Sequence, residues 1–168
     1  MIIAKTNKDL KPVLMDKKSS VVKNPYYLIE SPKQVIFVVT SGKNGVEFNK
    51  TEGYFCSYPG MQTYQCLYGS GILLMQRNDE SDEAKEFKVV VLSSGKYAIV
   101  PAGWAMCLVN TGSSFLVVLR NSLLDEKFLD RKPIVEKKGL AYYVAEKKGE
   151  VVFEQNSTYL VHPQVAME

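Results

Sequence analysis

The chain has 168 residues, of which 46% are hydrophobic and 23% are charged, and its formal net charge is +3 at pH 7. This length and composition are those of one ordinary globular domain with a sizeable core, and they exclude a wholly disordered chain. The small net charge comes from lysines scattered among acidic residues, which excludes a strongly basic surface for nucleic acid.

The N-terminal segment, residues 1–24, is rich in lysine and has one short apolar run at Pro12–Met15. We interpret it as an arm that packs on the rest of the chain or on a partner subunit. It has no apolar run long enough for a signal peptide or a transmembrane span, so we expect a cytoplasmic protein that does not bind membranes. Asn24 and Pro25 mark the boundary to a single domain, residues 25–168.

Short runs of β-branched and aromatic residues, separated by glycine turns, predict an all-β domain. Together they make about ten to twelve strands, as in a β-sandwich or a β-barrel. The predicted strands are Tyr26–Ile29, Gln34–Thr40, Val46–Phe48, Gly53–Ser57, Thr63–Tyr68, Ile72–Gln76, Phe87–Leu92, Tyr97–Val100, Ala105–Val109, Phe115–Arg120, Ala141–Ala145 and Val151–Glu154.

Two connections between the strands have local signals. We predict a tight turn at Gly69–Gly71, after which Ile72–Gln76 pairs back on Thr63–Tyr68. Ser122–Leu129 is the best helical candidate, since its apolar residues fall roughly on one face of a helix. Small barrels leave room for one small ligand inside, so we expect the site on alternate residues of the central strands.

Several glycines, prolines and aromatic residues follow a fixed order along the chain. The segment Asn49–Cys56, the pair Gln62 and Tyr64, the segment Val100–Met106 and the segment Pro133–Gly139 lie at spacings that resemble those of cupins. More narrowly, they resemble the cupin-type (archaeal) glucose-6-phosphate isomerases over most of the chain. This resemblance implies a cupin barrel, a double-stranded β-helix or jelly roll, with an N-terminal arm and little helix.

In that family a divalent metal ion is held in the barrel by three histidines and one glutamate. The resemblance carries these positions onto Tyr54, Cys56, Gln62 and Met106. None of them is a histidine or a carboxylate, and the single histidine, His162, lies far away in the sequence. We therefore predict no metal and no other cofactor, with these residues lining the barrel. The alternative is a soft ion such as Cu(I) on Cys56, Cys66 and Met106.

The resemblance also implies where a sugar phosphate binds. The family's threonine and glycine at the phosphate correspond to Thr51 and Gly53, and its pocket tyrosine corresponds to Tyr64. Arg120 replaces a family tyrosine, and arginine binds phosphate in bidentate geometry. We predict that these four residues bind the substrate. The alternatives are a strand end with a bulge at Thr51 and Gly53, a core aromatic at Tyr64 and a surface arginine at Arg120.

Three functions remain open. The first is a metal-free cupin, catalytically degenerate, that binds a sugar phosphate or another small anion. The second is an active isomerase with a different residue set, although Gln62 is an amide that accepts no proton at neutral pH. The third is a structural or interaction protein with a filled barrel. We favour the first and expect a homodimer, paired through edge strands as the resemblance suggests.

Overall fold

The structure, a computed structural model, describes residues 1–168 and consists mostly of strands. The strands are β1 (Ile2–Lys5), β2 (Tyr26–Glu30), β3 (Val35–Val39), β4 (Lys43–Asn44), β5 (Glu47–Phe48), β6 (Tyr54–Cys56), β7 (Gln62–Tyr68), β8 (Ser70–Asn78), β9 (Ala84–Ser93), β10 (Tyr97–Val100), β11 (Ala105–Val109), β12 (Leu116–Arg120), β13 (Leu129–Asp130), β14 (Tyr142–Lys147), β15 (Glu150–Gln155) and β16 (Val165–Met167). The all-β prediction is confirmed, but β1, β4, β13 and β16 were not predicted, because these strands of two to four residues are too short to show a clear hydrophobic period.

Helical structure is confined to short pieces. The α-helices are α1 (Asn7–Leu10) and α2 (Lys132–Glu136), and single 3₁₀ turns lie at Lys11–Val13, Lys17–Ser19 and Glu126–Phe128. None of the helices has both the length and the apolar character needed to cross a membrane.

Two six-stranded sheets form the barrel. The front sheet has the strand order β1-β2-β3-β12-β7-β10, and the back sheet has the order β13-β6-β11-β8-β9-β16. Neighbouring strands are antiparallel, except that β16 pairs parallel with β9. A smaller sheet, β15-β14-β5-β4, lies outside this pair. The arrangement confirms the predicted cupin jelly roll.

Two hydrophobic cores hold the layers together. The first fills the barrel with 20 buried residues from the inner faces of the two sheets, including Phe37, Leu73 and Val118. The second contains 18 buried residues and joins the outer face of the back sheet to the smaller sheet, the N-terminal segment and α2. Removing apolar surface from water contributes roughly 25 cal/mol per Å², and this is the main free-energy term that stabilises both cores.

The N-terminal segment packs on its own chain. Strand β1 pairs with β2, with Ile2 opposite Ile29, and so extends the front sheet. Leu10, Val13 and Leu14 are at most 2% exposed and belong to the second core. The segment therefore closes the back of the barrel instead of projecting from it.

The predicted pairing after Gly69–Gly71 is wrong. Strand β7 lies in the front sheet, whereas β8 pairs with β9 and β11 in the back sheet. The two glycines let the chain cross between sheets at very close range. A Cβ on Gly69, whose φ is 85°, would lie 2.1 Å from the carbonyl oxygen of Phe115, and a Cβ on Gly71 would lie 2.4 Å from that of Val109.

This crossing predicts that G69A destabilises the fold more than G95A does. Both glycines have positive φ, 85° and 89°, so both substitutions carry the cost of a left-handed backbone. A Cβ added at Gly95 would have no neighbouring atom within 4 Å, whereas a Cβ added at Gly69 would meet backbone. G69A is expected to lose about 1–3 kcal/mol more in urea unfolding than G95A. Equal losses would mean that the close approach at Gly69 has no energetic importance.

The predicted helix at Ser122–Leu129 is also wrong. Only Glu126–Phe128 makes a 3₁₀ turn, and the chain then enters β13 at Leu129. The carbonyl groups of Ser122 and Leu123, which a helix would use internally, instead accept hydrogen bonds from Arg120. The side chain of Arg120, two and three residues earlier in the sequence, has replaced the backbone donors of a helix.

Candidate functional site

The four positions that correspond to metal ligands meet inside the barrel. Tyr54 and Cys56 alternate on β6, so their side chains share one face, and Met106 on β11 is the register partner of Tyr54. Gln62 begins β7 in the opposite sheet. All four residues are at most 5% exposed, and they lie inside the barrel.

A hydrogen-bonded chain of polar groups connects these positions to Arg120. The hydroxyl oxygens of Tyr54 and Tyr64 are 2.5 Å apart, and Tyr64 donates to Gln62 Oε1 at 3.2 Å. Arg120 Nε donates to the same Tyr64 hydroxyl at 3.1 Å. Because a phenol has only one proton to donate, Tyr64 must accept from Tyr54. The hydrogen bonds therefore run, from donor to acceptor, from Tyr54 to Tyr64 and from Tyr64 to Gln62.

Burial keeps both phenols protonated. It raises the pKa of Tyr54 well above its ordinary value, and the neighbouring Tyr64 raises that pKa further against the opposing effect of Arg120. Burial likewise raises the pKa of Tyr64, and the Arg120 charge opposes the rise. Neither phenol is a proton acceptor or an anionic metal ligand at neutral pH.

The Arg120 guanidinium is the charged centre of the site. The residue is 2% exposed at the end of β12, and no carboxylate oxygen lies within 4 Å of it. Its Nη1 donates to the carbonyls of Ser122 at 2.9 Å and Leu123 at 2.5 Å, and Nη2 donates to Cys56 Sγ at 3.8 Å. With the Nε bond to Tyr64, four of the five N–H groups of a guanidinium are engaged. One N–H group of Nη2 has no partner within the chain.

A cavity of about 200 Å³ adjoins this guanidinium. Its walls come from the end of the barrel and from the loop after β12. The lining residues are Cys56, Tyr58, Arg120, Ser122, Leu123, Asp125 and Phe128. The rings of Tyr58 and Phe128 meet edge to face with centroids 5.2 Å apart and form one side. Sequence reasoning missed the loop residues because it placed Ser122–Leu129 on a helix.

Thr51 and Gly53 lie elsewhere. The Thr51 N–H donates to the Leu108 carbonyl at 2.9 Å, and its hydroxyl accepts from the Leu108 N–H at 3.0 Å. A Cβ at Gly53, whose φ is 83°, would lie 2.9 Å from the carbonyl oxygen of Met106. Both residues thus serve the junction with β11. Their cleft holds only about 10 Å³ and does not include Arg120.

The donor groups at the former ligand positions do not fit a divalent metal ion. They are a protonated phenol, a thiol, an amide and a thioether, whereas such ions prefer imidazole and carboxylate. No cluster of three His, Cys, Asp or Glu residues in the chain is arranged to hold a metal. His162 lies instead against Tyr142, with its Nε2 2.7 Å from the Asn156 carbonyl. Cys66 makes its contacts with the carbonyls of Tyr68 and Gly69.

Comparison with known proteins gives one family. Residues 31–162 match the family model described as "Glucose-6-phosphate isomerase (GPI)". None of the curated proteins matches the chain.

Parts of the chain also align with solved structures, one of which is described as a cupin domain. The Drosophila melanogaster CENP-C cupin domain aligns at 11% identity and a TM-score of 0.44, over 56% of this chain and 62% of that one. Hydroquinone 1,2-dioxygenase from Sphingomonas sp. TTNP3 aligns at 16% identity and a TM-score of 0.42, over 56% and 62%. Oxalate decarboxylase from Lactobacillus farciminis aligns at 14% identity and a TM-score of 0.43, over 55% of this chain and 25% of that one. The aligned part is thus less than two thirds of each of these proteins.

Proposed function

Because the chain belongs to the glucose-6-phosphate isomerase family, we propose that it keeps the barrel of that family but binds a small anion, the phosphate end of a sugar phosphate, without a metal and without isomerising it. The observation that carries the proposal is Arg120, a buried guanidinium that has no carboxylate partner and lines a cavity. A buried charge without a counter-ion is costly, and an anionic ligand would supply that counter-ion.

The size of the cavity limits what it encloses. Pockets that bury a drug-sized molecule hold about 300–1,000 Å³, whereas this cavity holds about 200 Å³. A phosphate group on the free Nη2 N–H of Arg120 suits this volume. The sugar would lie towards the loop of Tyr58 and Phe128, whose rings offer a stacking surface.

The barrel interior supports the absence of isomerase activity. Moving a proton between two sugar carbons requires a base, and a second group must polarise the carbonyl. Tyr54 and Tyr64 remain protonated, and Gln62 is an amide without basicity. Arg120 occupies the polar centre with a fixed positive charge, which holds an anion but removes no proton.

One observation favours the second candidate, an isomerase with a different residue set. Asp125 lines the same cavity as Arg120 and is a carboxylate with half of its side chain exposed. It is the one conventional base at the cavity. Its Oδ1 accepts from the Lys127 N–H at 3.2 Å, which is a turn-capping role that needs no catalytic function.

D125N separates these two functions. Under the binding proposal, removing the negative charge beside the cavity strengthens binding of inorganic phosphate about 2- to 10-fold, since the carboxylate is partly screened by solvent. Fructose 6-phosphate is not turned over by either form, with or without added Mn²⁺, Fe²⁺, Ni²⁺ or Zn²⁺. E136Q, which removes an exposed carboxylate outside the cavity, leaves phosphate binding unchanged.

The experiment is a calorimetric titration of phosphate paired with a coupled assay of isomerisation. Turnover by the wild-type protein that disappears in D125N would establish the isomerase and end the proposal. Turnover that appears only with a metal would show that the barrel holds an ion after all.

A further inference from the structure

The cavity beside Arg120 carries charges of both signs. Arg120 and Asp125 are the only two charged residues that line it. Arg120 is 2% exposed and forms the inner end, whereas 51% of the Asp125 side chain is exposed, so the carboxylate lies towards the mouth. Phosphate binding uses only the first of these charges. The second repels a phosphate, so the cavity is poorly matched to a ligand that is purely anionic.

The side chain of Lys127 marks where a positive group is held at this mouth. Its Nζ lies 3.6 Å from Asp125 Oδ2 and 4.9 Å from the centroid of the Phe128 ring. An ammonium group is attracted both by a carboxylate and by the face of an aromatic ring. Lys127 itself does not line the cavity, and 69% of its side chain is exposed. Such a solvated pair contributes little free energy, so the ammonium of a ligand can take its place.

We propose that the ligand of this cavity carries an ammonium group as well as a phosphate, and that its class is the 2-amino sugar 6-phosphates. The proposal rests on the proposed function, in which the phosphate binds the free Nη2 N–H of Arg120. The ammonium then faces Asp125 at the mouth, beside the Phe128 ring.

The shape of such a sugar matches the order of the charges along the cavity. In the six-membered ring form of a hexose 6-phosphate, carbon 2 lies across the ring from carbon 5, which bears the phosphorylated carbon. An amine at carbon 2 therefore places its positive charge at the end of the sugar away from the phosphate. With the phosphate at the inner end, beside Arg120, the amine lies at the end of the cavity where Asp125 is exposed.

Asp125 is, on this proposal, the residue that determines specificity. Its carboxylate attracts a sugar phosphate that has an ammonium group and repels one that has only hydroxyl groups. Attraction of one ligand combined with repulsion of its competitor is how charged groups discriminate between ligands of similar shape. This role explains why a carboxylate lines a cavity whose inner end binds an anion.

Calorimetric titration with glucosamine 6-phosphate and with glucose 6-phosphate tests the proposal, since the two sugars differ only in an ammonium or a hydroxyl group at carbon 2. The wild-type protein is expected to bind glucosamine 6-phosphate about 3- to 10-fold more tightly. D125N reduces this preference to less than about 2-fold, because the amide has no charge. E136Q is the matched control, since Glu136 also lies near a lysine ammonium, 3.9 Å from Lys132 Nζ, but outside the cavity. It keeps the preference of the wild type.

The D125N variant keeps the local fold, because asparagine retains an oxygen to accept from the Lys127 N–H, as Asp125 Oδ1 does at 3.2 Å. Thermal unfolding verifies this. Equal affinities of the wild type for the two sugars overturn the inference, and so does a preference that D125N leaves unchanged; both results leave phosphate binding at Arg120 intact. If neither sugar phosphate nor inorganic phosphate binds, the proposed function fails and the inference fails with it.

Discussion

Phosphate is expected to raise the melting temperature of the wild-type protein and to raise that of R120Q by at most about half as much. At about 100 times its Kd, a ligand that binds only the folded state stabilises it by about 2.7 kcal/mol. For a domain of this size, that is a rise of about 5–10 °C. The amide introduced by R120Q lacks the charge that attracts the anion, and charge-assisted hydrogen bonds contribute about 1.5–3 kcal/mol. The loss corresponds to a binding defect of about 10- to 100-fold.

R131Q is the matched control for R120Q. Arg131 lies by the cleft of Thr51 and Gly53, and its guanidinium already binds both carboxylate oxygens of Glu126, at 2.7 and 3.3 Å. Its charge is therefore neutralised within the chain, and phosphate is expected to stabilise R131Q as much as the wild type. R120K, which keeps the charge but loses the planar donors, should retain part of the shift. A melting-temperature shift that persists in R120Q and disappears in R131Q would place the anion in the cleft of Thr51 and Gly53.

K50M is expected to lose about 3–5 kcal/mol of unfolding free energy, the usual cost of breaking a buried ion pair from one side. Lys50 Nζ lies 2.7 Å from Glu47 Oε2, an ion-pair contact, and donates to the Val13 carbonyl at 2.6 Å. Glu47 Oε1 accepts from the Met15 N–H at 2.8 Å, and the carboxylate side chain is 1% exposed. The pair thus fastens the N-terminal segment to the barrel, and K50M leaves the carboxylate buried without its cation.

The double variant E47Q/K50M supplies the control for this prediction. With both charges removed, no buried charge is left unpaired, so much of the lost stability should return in urea unfolding. Limited proteolysis should cut residues 1–24 faster in K50M than in the wild type, because the segment has lost one of its attachments. If the double variant is as unstable as K50M, packing at Lys50 rather than charge determines the loss.

The strands were the most predictable part of this fold. Runs such as Val35–Val39 and Leu116–Arg120 are rich in β-branched residues and have clear ends, so pattern and propensity agree there. Pairing was less predictable. Glycines at 69 and 71 signal a bend, but a crossing to the other sheet and a tight hairpin use the same residues. Only the contact with Phe115, distant in sequence, distinguishes them.

The residues of the candidate site were likewise predictable in part from the sequence. Alternation along β6 and β7 was enough to direct Tyr54, Cys56 and Tyr64 into the barrel. The loop of Ser122 and Asp125 was missed, because the carbonyls of Ser122 and Leu123 bond to the Arg120 side chain, which the apolar pattern of residues 122–129 does not reveal. Thr51 was assigned to the phosphate by resemblance, although in the structure its polar groups are taken up by Leu108. Long-range hydrogen bonds of this kind are set by tertiary structure.

A crystal structure of the protein grown with fructose 6-phosphate tests the central claim most directly. The claim predicts the phosphate in the cavity beside Arg120, with one oxygen about 3 Å from Nη2, and an intact hydrogen-bonded chain from Tyr54 to Gln62. A phosphate at Thr51 and Gly53, or a divalent metal ion held by Tyr54, Cys56, Gln62 and Met106, would contradict it.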